Sequence, residues 1–148
     1  MRAAAPPPAR WLQLEAQLNE PGDARFVALN DAYDPALRHR LKRAAAAQGA
    51  LLNDSVYMFM PGPSFETPTE IRVAAMLGAD VVGMSIVPET IIARRYGLKV
   101  AAICAVTNLG AGLEGAAPSH NETKRMAATA AISIRRIFDT FIRTLDDA

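Results

Sequence analysis

Apolar positions follow two rhythms along this chain. Val56-Tyr57-Met58-Phe59-Met60 is an unbroken apolar run stopped by Pro61-Gly62, which predicts a buried strand over 55–60. Asp80-Val81-Val82-Gly83-Met84 and Lys99 to Val106 predict a second and a third buried strand. Between them the spacing turns helical. One helix is expected over 68–77, ending at Gly78, and another from Pro88 to about Tyr96-Gly97. Upstream, Asp34 as cap and Pro35 as first helical residue open a helix through Leu37, Leu41 and Ala44 to a stop at Gly49. Downstream, Met126, Ala130, Ile134, Ile137, Phe138 and Phe141 mark the core stripe of a last helix. Residues 1–9 read as an unstructured lead, Trp11 to Leu18 as a short amphipathic helix and 19–31 as loop. Strands alternating with helices predict an α/β fold, a three-layer arrangement with a mostly parallel or mixed sheet flanked by helices.

The junction after the first strand carries the densest chemistry. In Gly62-Pro63-Ser64-Phe65-Glu66-Thr67 an aromatic ring and a carboxylate stand side by side. Thr67 fits a helix N-cap, Pro68 the first helical position and Glu70 the third, a capping box in which proline's missing N–H costs nothing. Ser119 and Glu122 form a second such box at the start of the last helix. Phe65 and Glu66 are thereby held at the C-terminal end of a strand, where open α/β sheets bind ligands. A ring to stack on a flat heterocycle beside an acceptor for its N–H suggests nucleobase recognition.

Composition narrows the classes. The chain has 148 residues, enough for one ordinary domain, with 51% hydrophobic and 21% charged residues. A net charge of +1 provides no basic field for nucleic acid. Cys104, the single cysteine, lies in the third apolar run and reads as a buried, inert thiol. No stretch reaches the roughly 18 uninterrupted apolar residues of a membrane span, and Met1 to Pro8 lacks the apolar core of a secretory signal. A cytoplasmic location is the expectation. The two histidines, His39 and His120, lie far apart, so no metal site is expected. Gly110-Ala111-Gly112 lacks the lysine and third glycine of a nucleotide loop.

Parallel strands would gather Phe65/Glu66, Met84/Ser85, Thr107/Asn108 and His120 on one sheet edge. Each has a plain structural reading. Glu66 could simply favour a helix N-terminus by charge, Phe65 could be core, and Ser85, Thr107 and Asn108 could be turn residues. His120 could merely occupy a first helical turn. Joint placement favours function, because every polar candidate follows a strand or sits at a helix mouth. Together they complement a purine nucleoside: a carboxylate for ring N–H, a carboxamide that donates and accepts, a hydroxyl for phosphate, and an imidazole for a sugar hydroxyl.

At these residues the chain resembles the trimeric, 6-oxopurine-specific purine nucleoside phosphorylases. The likeness rests on Gly62-Pro63-Ser64-Phe65-Glu66-Thr67, Gly78-Ala79-Asp80, Val82-Gly83-Met84-Ser85, Val87-Pro88-Glu89, Thr107-Asn108 and Ser119-His120, with Asn30-Asp31-Ala32-Tyr33-Asp34 upstream. It spans about residues 29–142 and implies an incomplete nucleoside phosphorylase-like fold. The resemblance implies that Phe65 packs on the purine, Glu66 accepts from N1–H, and Asn108 bonds N7 and O6. It further implies that Met84 lies under the ribose, Ser85 binds phosphate and His120 orients the 5′-hydroxyl, with Val82 and Thr107 completing the substrate wall. Asn108 and His120 are then the catalytic pair. The implied reaction is reversible phosphorolysis of inosine or guanosine to free base and ribose 1-phosphate, with inorganic phosphate as co-substrate, no cofactor, and a homotrimer as the assembly.

The chain also departs from the family. Residues 1–28 match none of its phosphate-loop, arginine or histidine elements, so the expected division is a poorly matched lead over 1–28 and the C-terminal part of a phosphorylase-like domain over 29–148. Phosphate keeps only Ser85 among its expected ligands. Three readings follow: an impaired phosphorylase, a non-catalytic purine-binding module, or an inactive remnant.

Overall fold

The computed structural model describes residues 26–116 and 118–146. Its elements in chain order are α1 (Pro35–Ala47), β1 (Tyr57–Phe59), α2 (Pro68–Met76), β2 (Val81–Gly83), α3 (Val87–Arg95) and α4 (His120–Asp146). The helix expected over Trp11 to Leu18 lies outside the described residues.

Local chemistry sets the helix ends. Asp34 Oδ1 accepts from the Leu37 N–H at 2.9 Å, with Pro35 opening α1. At α2 both halves of the capping box form: the Glu70 N–H donates to Thr67 Oγ1 at 3.3 Å, and the Thr67 N–H donates to Glu70 Oε2 at 2.7 Å. Those Thr67 donors hold the Glu70 carboxyl below its ordinary 4.5. α1 ends as glycine allows: Gly49, at φ 69°, turns the chain so that the Ala50 N–H reaches Ala45 O and its own N–H reaches Ala46 O. The same double bond closes α2 at Gly78 and Ala79, and α3 at Gly97 and Leu98. α3 begins one residue earlier than its proline suggested, placing Pro88 second.

The core lies between the first and last helices. Leu41, Ala44 and Ala45 of α1 pack on Ile137 and Phe141 of α4, and Leu37, Leu52, Ala101, Ile103 and Phe138 close around them. Phe138 and Phe141 meet edge to face at 6.5 Å. Arg40 donates to Thr144 O at 2.7 Å and Gln48 to Thr140 Oγ1 at 3.0 Å, tying the helices outside the apolar seam. Of the stripe expected on α4, the C-terminal part is the buried one, while Met126 is exposed.

β1 and β2 form a two-stranded parallel sheet with Tyr57 opposite Val81 and Phe59 opposite Gly83. This is the α/β arrangement the alternation predicted, a small parallel sheet with helices, reduced in extent. Both strands are shorter than expected, at three residues each. The third strand, over Lys99 to Val106, does not form. That segment is extended and alternates in burial, Ala101 and Ile103 facing the core and Ala102, Cys104 and Val106 facing out. Yet no backbone hydrogen bond joins 101–106 to any other described residue; only Val100 O is engaged, by the Asp34 N–H at 2.7 Å. An apolar run becomes a strand only when a neighbour pairs with it, and here none does. For the same reason Cys104, expected to be buried, is exposed. Partial burial still pushes its thiol above the ordinary 9.0, which keeps it protonated near neutral pH.

Candidate functional site

Two strand ends and two helix mouths meet at the candidate site. After β1 the chain turns at Gly62 (φ 65°) through a cis Gly62–Pro63 bond. A Cβ on Gly62 would stand 2.5 Å from Met84 Sδ and 3.2 Å from its Cγ, so the bare glycine lets Met84, at the end of β2, lie against the turn. Beyond the turn come Phe65, 41% exposed, and Glu66, whose Oε1 is buried without any hydrogen-bond partner. Thr67 then caps α2. A buried carboxylate oxygen with nothing to accept from is costly and rare, and it marks where a donor is wanted.

The loop carrying Asn108 rests on the opening of α2. Gly110 lies against the Ile71 side chain, 3.1 Å from where its Cβ would be, and a Cβ on Gly112 would stand 2.6 Å from Pro68 Cβ. Glu66 precedes Pro68 by two residues and Asn108 precedes Gly110 by two, so the two residues lie on segments that touch at the opening of α2. Asn108 Oδ1 accepts from Thr107 Oγ1 at 2.8 Å and from Thr123 Oγ1 at 3.2 Å, while its Nδ2 donates to Leu109 O at 3.3 Å. Thr123 Oγ1 shares its one proton between Asn108 Oδ1 and Ser119 O, at 3.0 Å, and the second N–H of Nδ2 is left to donate.

His120 is the exposed first residue of α4, one helical turn before Thr123 and so on the same face. Ser119 caps the helix, its Oγ accepting from the Glu122 N–H at 3.2 Å. The reciprocal half of the expected box is absent; the Glu122 carboxylate turns instead to Arg125 at 3.9 Å. Thr123, which the sequence reading passed over, thus ties Asn108 to Ser119 at the first turn of α4. Its signal was its position, three residues after a candidate histidine and four after the cap.

Val82 occupies the middle of β2 opposite Met58 and is half-buried. Ser85 is exposed, and its N–H donates to Tyr57 Oη at 3.3 Å. Immediately after it, Ile86 sits at φ 73° and ψ −54°, with the Val87 N–H bonded back to Ser85 O at 2.8 Å. That is a γ-turn at positive φ, costly for a β-branched residue, and α3 opens from it with no side-chain cap. Strain of about 1–3 kcal/mol persists where surrounding structure enforces it, commonly at ligand sites. Tyr57 is the second residue the sequence reading missed: its ring lies across Gly83, the last residue of β2. Gly83→Ala should therefore push Tyr57 aside, strip the Ser85 N–H of its acceptor and cost about 1–3 kcal/mol, read as a lowered urea midpoint. An unchanged midpoint would show that Tyr57 does not brace this corner.

Among the described residues no group of three or more His, Cys, Asp or Glu could hold a metal, and no helix is long and apolar enough to cross a membrane.

This βαβ unit, with its carboxylate and amide on neighbouring turns, has clear counterparts. The phosphorylase superfamily profile matches residues 8–143, and the chain belongs to that superfamily. Within it, the chain is 48% identical over 110 residues to the purine nucleoside phosphorylase of Mycobacterium tuberculosis (strain ATCC 25618 / H37Rv), covering 74% of this chain and 39% of that protein. Among solved structures it resembles the Schistosoma purine nucleoside phosphorylase in complex with hypoxanthine, with TM-score 0.78, 35% identity, and coverage of 89% of this chain and 50% of that one. The Schistosoma mansoni enzyme in complex with inosine also matches, with TM-score 0.78 and 35% identity over 88% of this chain and 49% of that one. The chain therefore spans between about two fifths and one half of the length of these relatives.

Proposed function

We propose that this chain carries the purine-binding wall of a purine nucleoside phosphorylase, and that the reaction it serves is reversible phosphorolysis of inosine or guanosine. A phosphate oxygen replaces the base nitrogen at C1′ of the ribose, giving ribose 1-phosphate and the free base, which takes up a proton. The carrying observation is Glu66 Oε1, buried and unpartnered, on a turn that adjoins the loop of Asn108 at the opening of α2. An acceptor set beside a donor fits the N1–H and the O6 or N7 edge of a 6-oxopurine. A 6-aminopurine would turn a lone pair toward Glu66 and leave that oxygen unsatisfied. Phe65 supplies a stacking face, Val82, Met84 and Thr107 the remaining substrate wall, and His120 a partner for the 5′-hydroxyl. Relatives bound to hypoxanthine and to inosine support the substrate class.

Phosphate is the weaker half. Ser85 stands at the uncapped mouth of α3, where the helix dipole favours an anion, but the Val87 N–H is already bonded to Ser85 O, Pro88 has none, and no cation is placed there by the family likeness. Holding a dianion with so few partners is costly, so turnover by this chain alone is expected to be weak or absent. Inorganic phosphate as co-substrate, the absence of any cofactor, a homotrimeric assembly and a cytoplasmic location belong to the same proposal.

Calorimetric titration tests it. Hypoxanthine should bind saturably, and adenine at least about tenfold more weakly, the equivalent of one unmade hydrogen bond. Equal binding of the two bases, or none, would overturn the reading. Binding without inosine turnover in a xanthine-oxidase-coupled assay would assign the chain as a purine-binding module, the reading the single phosphate ligand favours.

A further inference from the structure

We infer that Thr123 is a positioning residue for Asn108: its hydroxyl ties the carboxamide that reads the base to the last helix. The inference rests on the purine reading above and adds to it a residue that acts through Asn108. Three contacts define the setting of the carboxamide. Leu109 O, an acceptor only, takes an Nδ2 N–H at 3.3 Å and so settles which end of the amide is nitrogen. Oδ1 then faces the hydroxyls of Thr107 at 2.8 Å and Thr123 at 3.2 Å. Thr107 and Leu109 are the chain neighbours of Asn108 and travel with it. Thr123 belongs to α4, and it is the partner that refers the carboxamide to a separate element.

Among the described residues, what else holds this loop carries little direction. The Leu113 N–H to Gly110 O bond at 3.2 Å and the Ala116 N–H to Leu113 O bond at 3.0 Å stay within it. Gly110 and Gly112 meet Ile71 and Pro68 through apolar contact, which is non-directional. Orientation comes from α4. Thr123 stands about five turns before Phe141, so it lies on the face of the helix that packs against α1. The Thr123 side chain is itself held. It is half-buried, its β-branch restricts χ1, and Oγ1 lies 3.0 Å from Ser119 O one turn back. Its one proton bridges Ser119 O and Asn108 Oδ1 in a three-centre bond of the kind common at helix ends. Valine, of nearly the same shape, would keep the packing and lose the bridge. Serine would keep the bridge.

The test reads Asn108 first directly and then through a ligand. In the isotope-labelled whole chain, the NMR order parameter of the Asn108 side-chain amide should stand near the rigid value of about 0.85. In Thr123→Val it should fall below about 0.6, and in Thr123→Ser it should hold. Hypoxanthine should bind Thr123→Val roughly two- to tenfold more weakly than the unaltered chain, the range of one hydrogen bond, and Thr123→Ser should recover most of that loss. Added to Asn108→Ala, Thr123→Val should weaken hypoxanthine no further, because a group that acts through Asn108 has nothing left to act on. A merely structural Thr123 would lower affinity by the same factor in both backgrounds, and that result would overturn the inference. So would an order parameter that Thr123→Val leaves unchanged, or a Thr123→Ser variant that behaves as the valine does. Where Asn108→Ala fails to fold, the order parameter and the serine rescue decide. Absence of hypoxanthine binding by the unaltered chain falls on the purine reading only; the order parameter, which needs no ligand, then decides whether Thr123 positions Asn108.

Discussion

Hypoxanthine titrated into Glu66→Ala should bind roughly 10- to 150-fold more weakly than to the unaltered chain, because a hydrogen bond to a charged group contributes about 1.5–3 kcal/mol. The effect should be specific. Glu66 Oε1 has no partner within the protein, so removing the side chain breaks no internal hydrogen bond made by that oxygen, and the urea midpoint should hold or rise slightly. Adenine, which brings no N1–H, should lose much less. Equal losses for both bases would mean that Glu66 supports the wall rather than touching the base. Asn108→Ala offers the contrast: it frees the Thr107 and Thr123 hydroxyls from their shared acceptor, so binding and midpoint should fall together.

Phe141→Ala should be the most damaging single change to stability. Phe141 is 8% exposed between α1 and Ile137 and meets Phe138 edge to face, and buried Phe→Ala changes cost about 3–5 kcal/mol. Few other side chains share that burden: the buried apolar set among the described residues is Leu41, Ala44, Ala45, Ala74, Ile137 and Phe141. Against a typical domain stability of about 5–15 kcal/mol, that loss should lower the melting midpoint sharply. Ile142→Ala, at the neighbouring but exposed position, should stay within about 0.5 kcal/mol. Similar midpoints for the two variants would move the core elsewhere.

The elements most legible in the sequence were those whose cause is local. Asp34-Pro35 and Thr67-Pro68 open helices, and Gly49, Gly78 and Gly97 close them, because caps and positive-φ turns are decided within a few residues. The third strand was misread because pairing is not local: Val100 to Val106 has the composition of a strand and lacks the neighbour that would make it one. Cys104 followed it from buried to exposed. At the candidate site, residues beside turns and helix mouths stood out by type and position, and their roles toward substrate remain proposals. Tyr57 and Thr123 did not stand out. One sits inside an apolar run and the other inside a helical first turn, and each matters for a contact some way off in the chain, to Ser85 and to Asn108.

Among the described residues the apolar seam joins the first and last helices, with Leu52, Ala101 and Ile103 against it, while the candidate site is assembled from turns, caps and glycines resting on one another. Cooperative strength is therefore unevenly distributed: the helical pair resists opening most, and the ligand side opens at lower free energy. A purine settling there would order the softest part of the molecule, so its binding should carry an unfavourable entropy of ordering. Its protection against heat would come from stiffening that side rather than from adding to the core.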